Sequence, residues 1–154
     1  MAFGLLPAIT MAATVVAAVF CWQYGSARAG AAAADKAVAA ARDSTVAMLS
    51  YRPDAVDAQL GAARDRLTGA FRDSYTSVVD SVVIPGAKQK QVSAVATVPG
   101  VASVSATADH VVVLVFVDQT VIVGNGAPSS TSSAVRVTLN RTGERWLISG
   151  FHPI

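Results

Sequence analysis

Three regimes of hydrophobic and polar patterning divide the chain. Residues 1–24, MAFGLLPAITMAATVVAAVFCWQY, carry no charged side chain, and the first charge is Arg28. A helix rising about 1.5 Å per residue crosses a hydrocarbon core of about 30 Å in roughly 20 residues, and backbone amides cannot stay unpaired in lipid. Leu5 to Trp22 is therefore predicted as one transmembrane helix, with Trp22 and Tyr24 as interfacial anchors at its C-terminal end.

The second regime has helical period. Ala27 to Leu49 is dominated by alanine, the strongest helix former, and the anchor helix is expected to run on into it. Asp35, Lys36, Arg42 and Asp43 supply a solvated side, whereas Val38, Ala41, Thr45, Met48 and Leu49 recur near helical spacing and face a core. Ser50-Tyr51-Arg52 breaks the pattern, and Pro53 suits the first position of a new helix with Asp54 and Asp57 at its positive end. Val56, Leu60, Ala63 and Leu67 form an amphipathic stripe. Gly69 punctuates it, and Phe71, Tyr75, Val78, Val79 and Val82 continue at helical spacing until Pro85-Gly86, which is predicted to end the helical half.

The third regime alternates. Gln91 to Thr107 reads as a long strand interrupted at Pro99-Gly100, and His110 to Val123 is the strongest strand signal in the chain. A polar hairpin connection over Gly124 to Thr131 leads to Ser133 to Asn140, and the turn Arg141-Thr142-Gly143 leads to Glu144 to Phe151. Strands joined by short turns favour an antiparallel meander. Helices first and strands later favour an α+β fold, with helices on one face of a curved sheet of about four strands. The domain plan is residues 1–25 as anchor, 26–50 as an Ala-rich helix continuing from it, and 51–154 as the α+β domain.

Two other readings of the N-terminus fit its residues less well. A cleaved signal peptide wants a positive n-region and an apolar run of about 7–15 residues; here no Lys or Arg precedes the run, and the run is longer. A lipoprotein anchor at Cys21, the chain's one cysteine, would need a small residue where Phe20 stands. Within the span, Gly4, Ala8 and Ala12 recur every four residues, as do Ala13 and Ala17. Small residues at that spacing permit close helix–helix approach in lipid, so they form a candidate packing face toward a multispan partner.

Composition narrows the function. Twelve basic against ten acidic residues give a net charge of +2, which does not suggest a nucleic-acid surface. One cysteine excludes an intrachain disulfide and a cysteine zinc site. The mean hydropathy of +0.48 is raised by the anchor and by alanine. His110 and His152 are far apart in sequence and read as structural; Asp109 and His110, adjacent on a strand, point to opposite faces. Gly124-Asn125-Gly126 follows a strand but precedes another, so it is a hairpin loop and not a phosphate cradle. Asn140-Arg141-Thr142 reads as turn chemistry. Asp54, Asp57, Asp65, Asp73 and Asp80, interleaved with Arg64, Arg66 and Arg72, read as a solvated face with ion pairs. No catalytic residue, metal site or cofactor is expected, and the chain does not read as an enzyme.

The layout resembles the Mce-associated membrane proteins of actinobacteria, and its soluble part resembles the periplasmic domain of VirB8-type secretion proteins. The residues that carry the resemblance are Leu67-Thr68-Gly69-Ala70-Phe71-Arg72, Val135-Arg136-Val137-Thr138-Leu139, Trp146-Leu147-Ile148 and Phe151-His152-Pro153-Ile154. The resemblance implies a cystatin-like or NTF2-like domain. It also implies a non-enzymatic accessory subunit of an Mce-type lipid importer, with a permease, Mce subunits and an ATPase as partners in the bilayer. Its implied place is the inner (cytoplasmic) membrane, single-pass, with the C-terminal domain outside. Many relatives carry a charged tail before the span, and this chain does not. The positive-inside rule, counting Arg28, Lys36 and Arg42 after the span, points the other way; the charge difference is small, and the resemblance is preferred. Two alternatives accompany this reading. One is a VirB8-like secretion-complex assembly factor. The other is a tethered domain binding a lipid or small molecule in a pocket lined by Val113, Val115 and Val117 or by their neighbours on the alternate face.

Overall fold

The computed structural model describes residues 30–154. The expected span Leu5 to Trp22, with Gly4, Ala8, Ala12, Ala13, Ala17, Trp22 and Tyr24, lies outside them. Among the described residues no helix is long and apolar enough to cross a membrane.

Residues 30–49 form the first helix, α1. Its buried positions include Ala33, Ala37, Ala41, Thr45 and Met48, a stripe at steps of four, four, four and three, flanked by buried Ser44. Alanine at three of them lets the helix lie close on the sheet. At Gly30 the approach is tighter still, because a Cβ there would meet the carbonyl oxygen of Ala106 at 3.0 Å. The far end of α1 is tied to the sheet by polar contacts. Arg42 donates to the Val98 carbonyl at 3.1 Å, Ala96 N–H donates to Ser50 Oγ at 3.0 Å, and Gln119 donates to the Leu49 carbonyl at 3.1 Å.

Helix α2 (Val56–Arg64) buries Val56, Leu60 and Ala63. Leu67 is buried as expected, but on extended backbone that bridges Ile148 on the last strand. Pro53 lies in a turn, and the helix starts three residues later than its proline suggested. Helix α3 (Gly69–Val78) begins on a glycine with φ +61°.

Pro85-Gly86 does not end the helical half. A π-helical turn (Val79–Val83) leads directly into α4 (Ile84–Lys90), and the chain leaves the helix only at Gln91, whose φ of 51° is left-handed. Proline lacks the N–H that an uninterrupted ladder would use, and the wider π turn shifts the hydrogen-bond register just before it, so the axis continues through the proline. Past Val78, the last residue of α3, the π turn changes the spacing of the apolar stripe. Val79 is buried, whereas Val78 and Val82, expected on the same face, are exposed.

The sheet is an antiparallel meander in the order β1-β2-β3-β4: β1 (Val92–Ala106), β2 (His110–Val123), β3 (Ser129–Thr142) and β4 (Arg145–Pro153). The irregularity expected at Pro99-Gly100 is a shift in pairing between Thr97 and Gly100, on an edge strand where a missing N–H is tolerated. One face packs under the helices through Ala94, Ala96, Val98, Val111, Val113, Val115, Val117, Val135, Val137, Leu139, Trp146 and Ile148. A smaller cluster of Val56, Leu60, Val79 and Ala87 joins the helices to one another. The other sheet face is not covered by any described element.

Candidate functional site

The uncovered face of the sheet follows from strand register. On β2, Val111, Val113, Val115 and Val117 point into the core, so Val112, Leu114 and Phe116 point away from it. The same face receives Gly100 and Ala102 from β1, and Ala134, Arg136 and Thr138 from β3. Phe116 stands between Gly100 and Ala134, and its ring is the nearest group that a Cβ at Gly100 would meet, at 3.4 Å. It is 45% exposed, and Val95 is 58% exposed. The seven residues from Val111 to Val117 are all apolar. Such a run is the pattern of a strand buried on both faces, and here the fold covers only one.

The valines expected to line an internal pocket do not. Val113, Val115 and Val117 are fully packed at 0%, 0% and 2% exposure, in one cluster with Ala37, Ala41 and Met48. Open space lies instead along the outside of α1, on either side of Trp146. One cavity of about 230 Å³ lies among Ala32, Lys36, Arg141 and Trp146; a second, of about 440 Å³, lies among Ala40, Ser44, Arg66, Arg145 and Trp146.

Titratable groups serve the packing of the helices. Asp57 accepts from Lys88 Nζ at 2.6 Å, which ties α2 to α4 and holds the Asp57 carboxyl below its usual range. Arg64 pairs with Asp80 and so ties α2 to the π turn. Asp65 pairs with Arg72 at 3.4 Å and Asp54 with Arg52 at 3.6 Å. The solvated face with ion pairs is thus as expected, but two of its pairs join separate elements. Burial raises the phenol of Tyr51, and pushes that of Tyr75 up to about 12. Phe71 stacks on Phe151 with ring centroids 6.2 Å apart, which places it at the core margin.

His110 Nδ1 lies 2.8 Å from Asn140 Oδ1, and His152 pairs across the strands with Arg136, so the two histidines occupy separate places on the uncovered face. Among the described residues no three His, Cys, Asp or Glu side chains gather as a metal site. Phe116 is not singled out by sequence reasoning, which reaches it only as a neighbour on the alternate face of β2. Its signal was the unbroken apolar run, which carries no information on which face stays open.

No family model matches the chain. The outer membrane protein Rv1973 of Mycobacterium tuberculosis is 55% identical over 153 residues, spanning 99% of this chain and 96% of the relative. The uncharacterized protein Rv1362c of the same species is 43% identical over 123 residues, spanning 79% of this chain and 56% of the relative. Among solved structures, the periplasmic domain of DotI matches with a TM-score of 0.64 at 14% identity, covering 76% of this chain and 91% of that one. A periplasmic fragment of TraM matches with a TM-score of 0.64 at 12% identity, covering 77% and 95%. An IcmL-like type IV secretion system protein of Legionella pneumophila matches with a TM-score of 0.60 at 9% identity, covering 76% and 90%. At such identities the likeness is one of fold: the expected α+β arrangement, helices on a four-stranded antiparallel sheet, of the VirB8/NTF2-like kind.

Proposed function

We propose, from the premise that this chain belongs to the family of the mycobacterial outer membrane protein Rv1973, that it is a membrane-tethered assembly factor of a cell-envelope complex. Residues 1–25 hold it in the bilayer, and the domain beyond docks other envelope proteins without a reaction of its own. The observation that supports this reading is the uncovered sheet face with Val112, Leu114 and Phe116 on it. Exposed apolar surface on an otherwise closed domain is what a docking partner removes from water. The DotI, TraM and IcmL-like likenesses supply a precedent of fold alone.

The proposed topology is a single apolar helix in the cytoplasmic membrane with the domain outside. Rv1973 carries the outer membrane in its name. An uncharged stretch of the length of residues 1–24 suits a helical span, whereas outer-membrane barrels cross with closed sets of strands. Fractionation of the cell envelope with markers for each membrane separates the two placements.

A finer reading names the complex. The order of anchor, Ala-rich helix, Leu67-Thr68-Gly69-Ala70-Phe71 and terminal hairpin favours an Mce-type lipid importer, in which the anchor packs on the permease through Ala8, Ala12, Ala13 and Ala17. The test is purification of a chain tagged after Ile154 from native membranes in mild detergent. Co-purification of a permease, Mce subunits and an ATPase in stable proportion supports the importer. Recovery of secretion-type components supports a VirB8-like assembly role, and recovery of the tagged chain alone removes both.

A further inference from the structure

The end of the sheet farthest from Gly30 has a composition unlike the rest of the surface. Between Asp118 and Arg136 there is no charged residue, and the segment carries five hydroxyl side chains in succession, Ser129 to Ser133, directly after Pro128. All five are exposed. They are extended, paired on one side with Val117 to Val121 of β2. On the other side β4 reaches only as far as Val135, with one further hydrogen bond from Ile154 N–H to the Ala134 carbonyl. The backbone of residues 129–133 is therefore a free sheet edge among the described residues.

Such an edge is a template for unwanted strand pairing, and proteins usually blunt it with lysine, proline or another charge within the strand. None of these stands between Ser129 and Ser133. Two of the hydroxyls are engaged on the sheet, Ser130 with Thr120 Oγ1 at 3.0 Å and Ser132 with Asp118 Oδ1. Ser129, Thr131 and Ser133 alternate with them and make no side-chain hydrogen bond among the described residues. Hydroxyl runs beside proline are the compositional mark of O-glycosylated segments.

We propose that Ser129, Thr131 and Ser133 are acceptor sites for O-linked hexose. In the transfer, the hydroxyl oxygen bonds to the anomeric carbon of a glycosyl phosphate donor. The carbon–oxygen bond to the donor phosphate breaks, the phosphate leaves with the electron pair, and the hydroxyl proton passes to a base of the glycosyltransferase. The bulky, hydrated sugar stands beside the bare edge, hinders the approach of another strand to it and supplies polarity to the tip. Phosphorylation of the same hydroxyls would also add polarity, but no lysine or arginine lies between Asp118 and Arg136 to pair with a phosphate, and the Asp118 carboxylate beside Ser132 repels one, which favours the sugar. The proposal rests on the domain lying outside the cytoplasmic membrane.

The test uses the full chain, tagged after Ile154 and expressed in a mycobacterium, with intact-mass measurement and fragmentation to locate added groups. The expected result is one or more anhydrohexose increments on Ser129, Thr131 or Ser133, all lost when the three are replaced by alanine while the far-ultraviolet circular dichroism is unchanged. An unmodified mass, a phosphate increment, or sugar elsewhere in the chain overturns it. In parallel, an Ala127→Cys variant in a Cys21→Ser background is treated with a membrane-impermeant thiol reagent in spheroplasts. A labelled but unmodified chain overturns the modification alone, and an unlabelled, unmodified chain overturns the orientation as well.

Discussion

Tyr75 donates its hydroxyl proton to the carbonyl oxygen of Met48 at 3.1 Å, and this bond joins the half-buried side of α3 to the last turn of α1. Replacing Tyr75 with Phe removes the bond and leaves that carbonyl unpaired by this donor. Unfolding of the detergent-solubilised chain is expected to become easier by about 1 kcal/mol. The same residue sets an alkaline limit. Its folded pKa is raised from the usual 10.0 to about 12 by burial, so its contribution is complete below pH 10 and is lost as pH rises toward 12. A stability profile measured across that window falls for the native chain, and falls less for Tyr75→Phe.

Close packing of α1 on the sheet depends on small side chains. Ala37 and Ala41 are both at 0% exposure. Ala37→Leu forces extra volume against the valines of β2 and costs about 1–3 kcal/mol. Ala39→Leu, on the exposed side of the same helix, changes stability by less than about 0.5 kcal/mol. Thermal unfolding of the two variants distinguishes a packed interface from a loosely filled one.

Thr45 lies in the same buried stripe, and its hydroxyl has no hydrogen-bond partner among the described residues. A buried hydroxyl without a partner carries its full desolvation cost. Thr45→Val keeps the branched shape and removes that cost, so the variant is expected to be more stable by about 1 kcal/mol in denaturant titration.

The two ion pairs between helices differ in setting. The Arg64 side chain is 23% exposed and its Nε is buried without a partner among the described residues, whereas Lys88 and Asp57 are both largely in water. Asp80→Ala is expected to cost on the order of 1 kcal/mol, and Asp57→Ala less. The lowered pKa of Asp57 gives its small contribution a direction: present above the usual carboxylate range, and lost as pH falls through the lowered value. Acid titrations of the native and Asp57→Asn chains show it as a small difference present at neutral pH that closes as pH falls.

Much of this architecture is legible in the residues. The apolar run of β2 and the alternation of β3 set the strands, and Val56, Leu60 and Ala63 are buried as their helical spacing predicts. The misreadings have physical causes. Pro85-Gly86 resembles a terminator, yet a π turn before it keeps the helix going. Val78 and Val82 look like core by period, but both are exposed: Val79, not Val78, turns inward where α3 ends, and the π turn puts Val82 out of phase with it. A pocket under β2 was expected from the fold type, and the alanines of α1 close it. The docking face was hidden because an unbroken apolar strand reads the same whether one face or both are covered.

The central claim concerns Phe116, and the most direct test is purification from native membranes of the tagged chain beside its Phe116→Asp variant. Phe116 projects from the uncovered face, so the variant is expected to fold as the native chain does. The account predicts a fixed set of envelope proteins with the native chain, and loss of that set with the variant at unchanged thermal stability. A native chain recovered alone, or the same set held equally by Phe116→Asp, would contradict it.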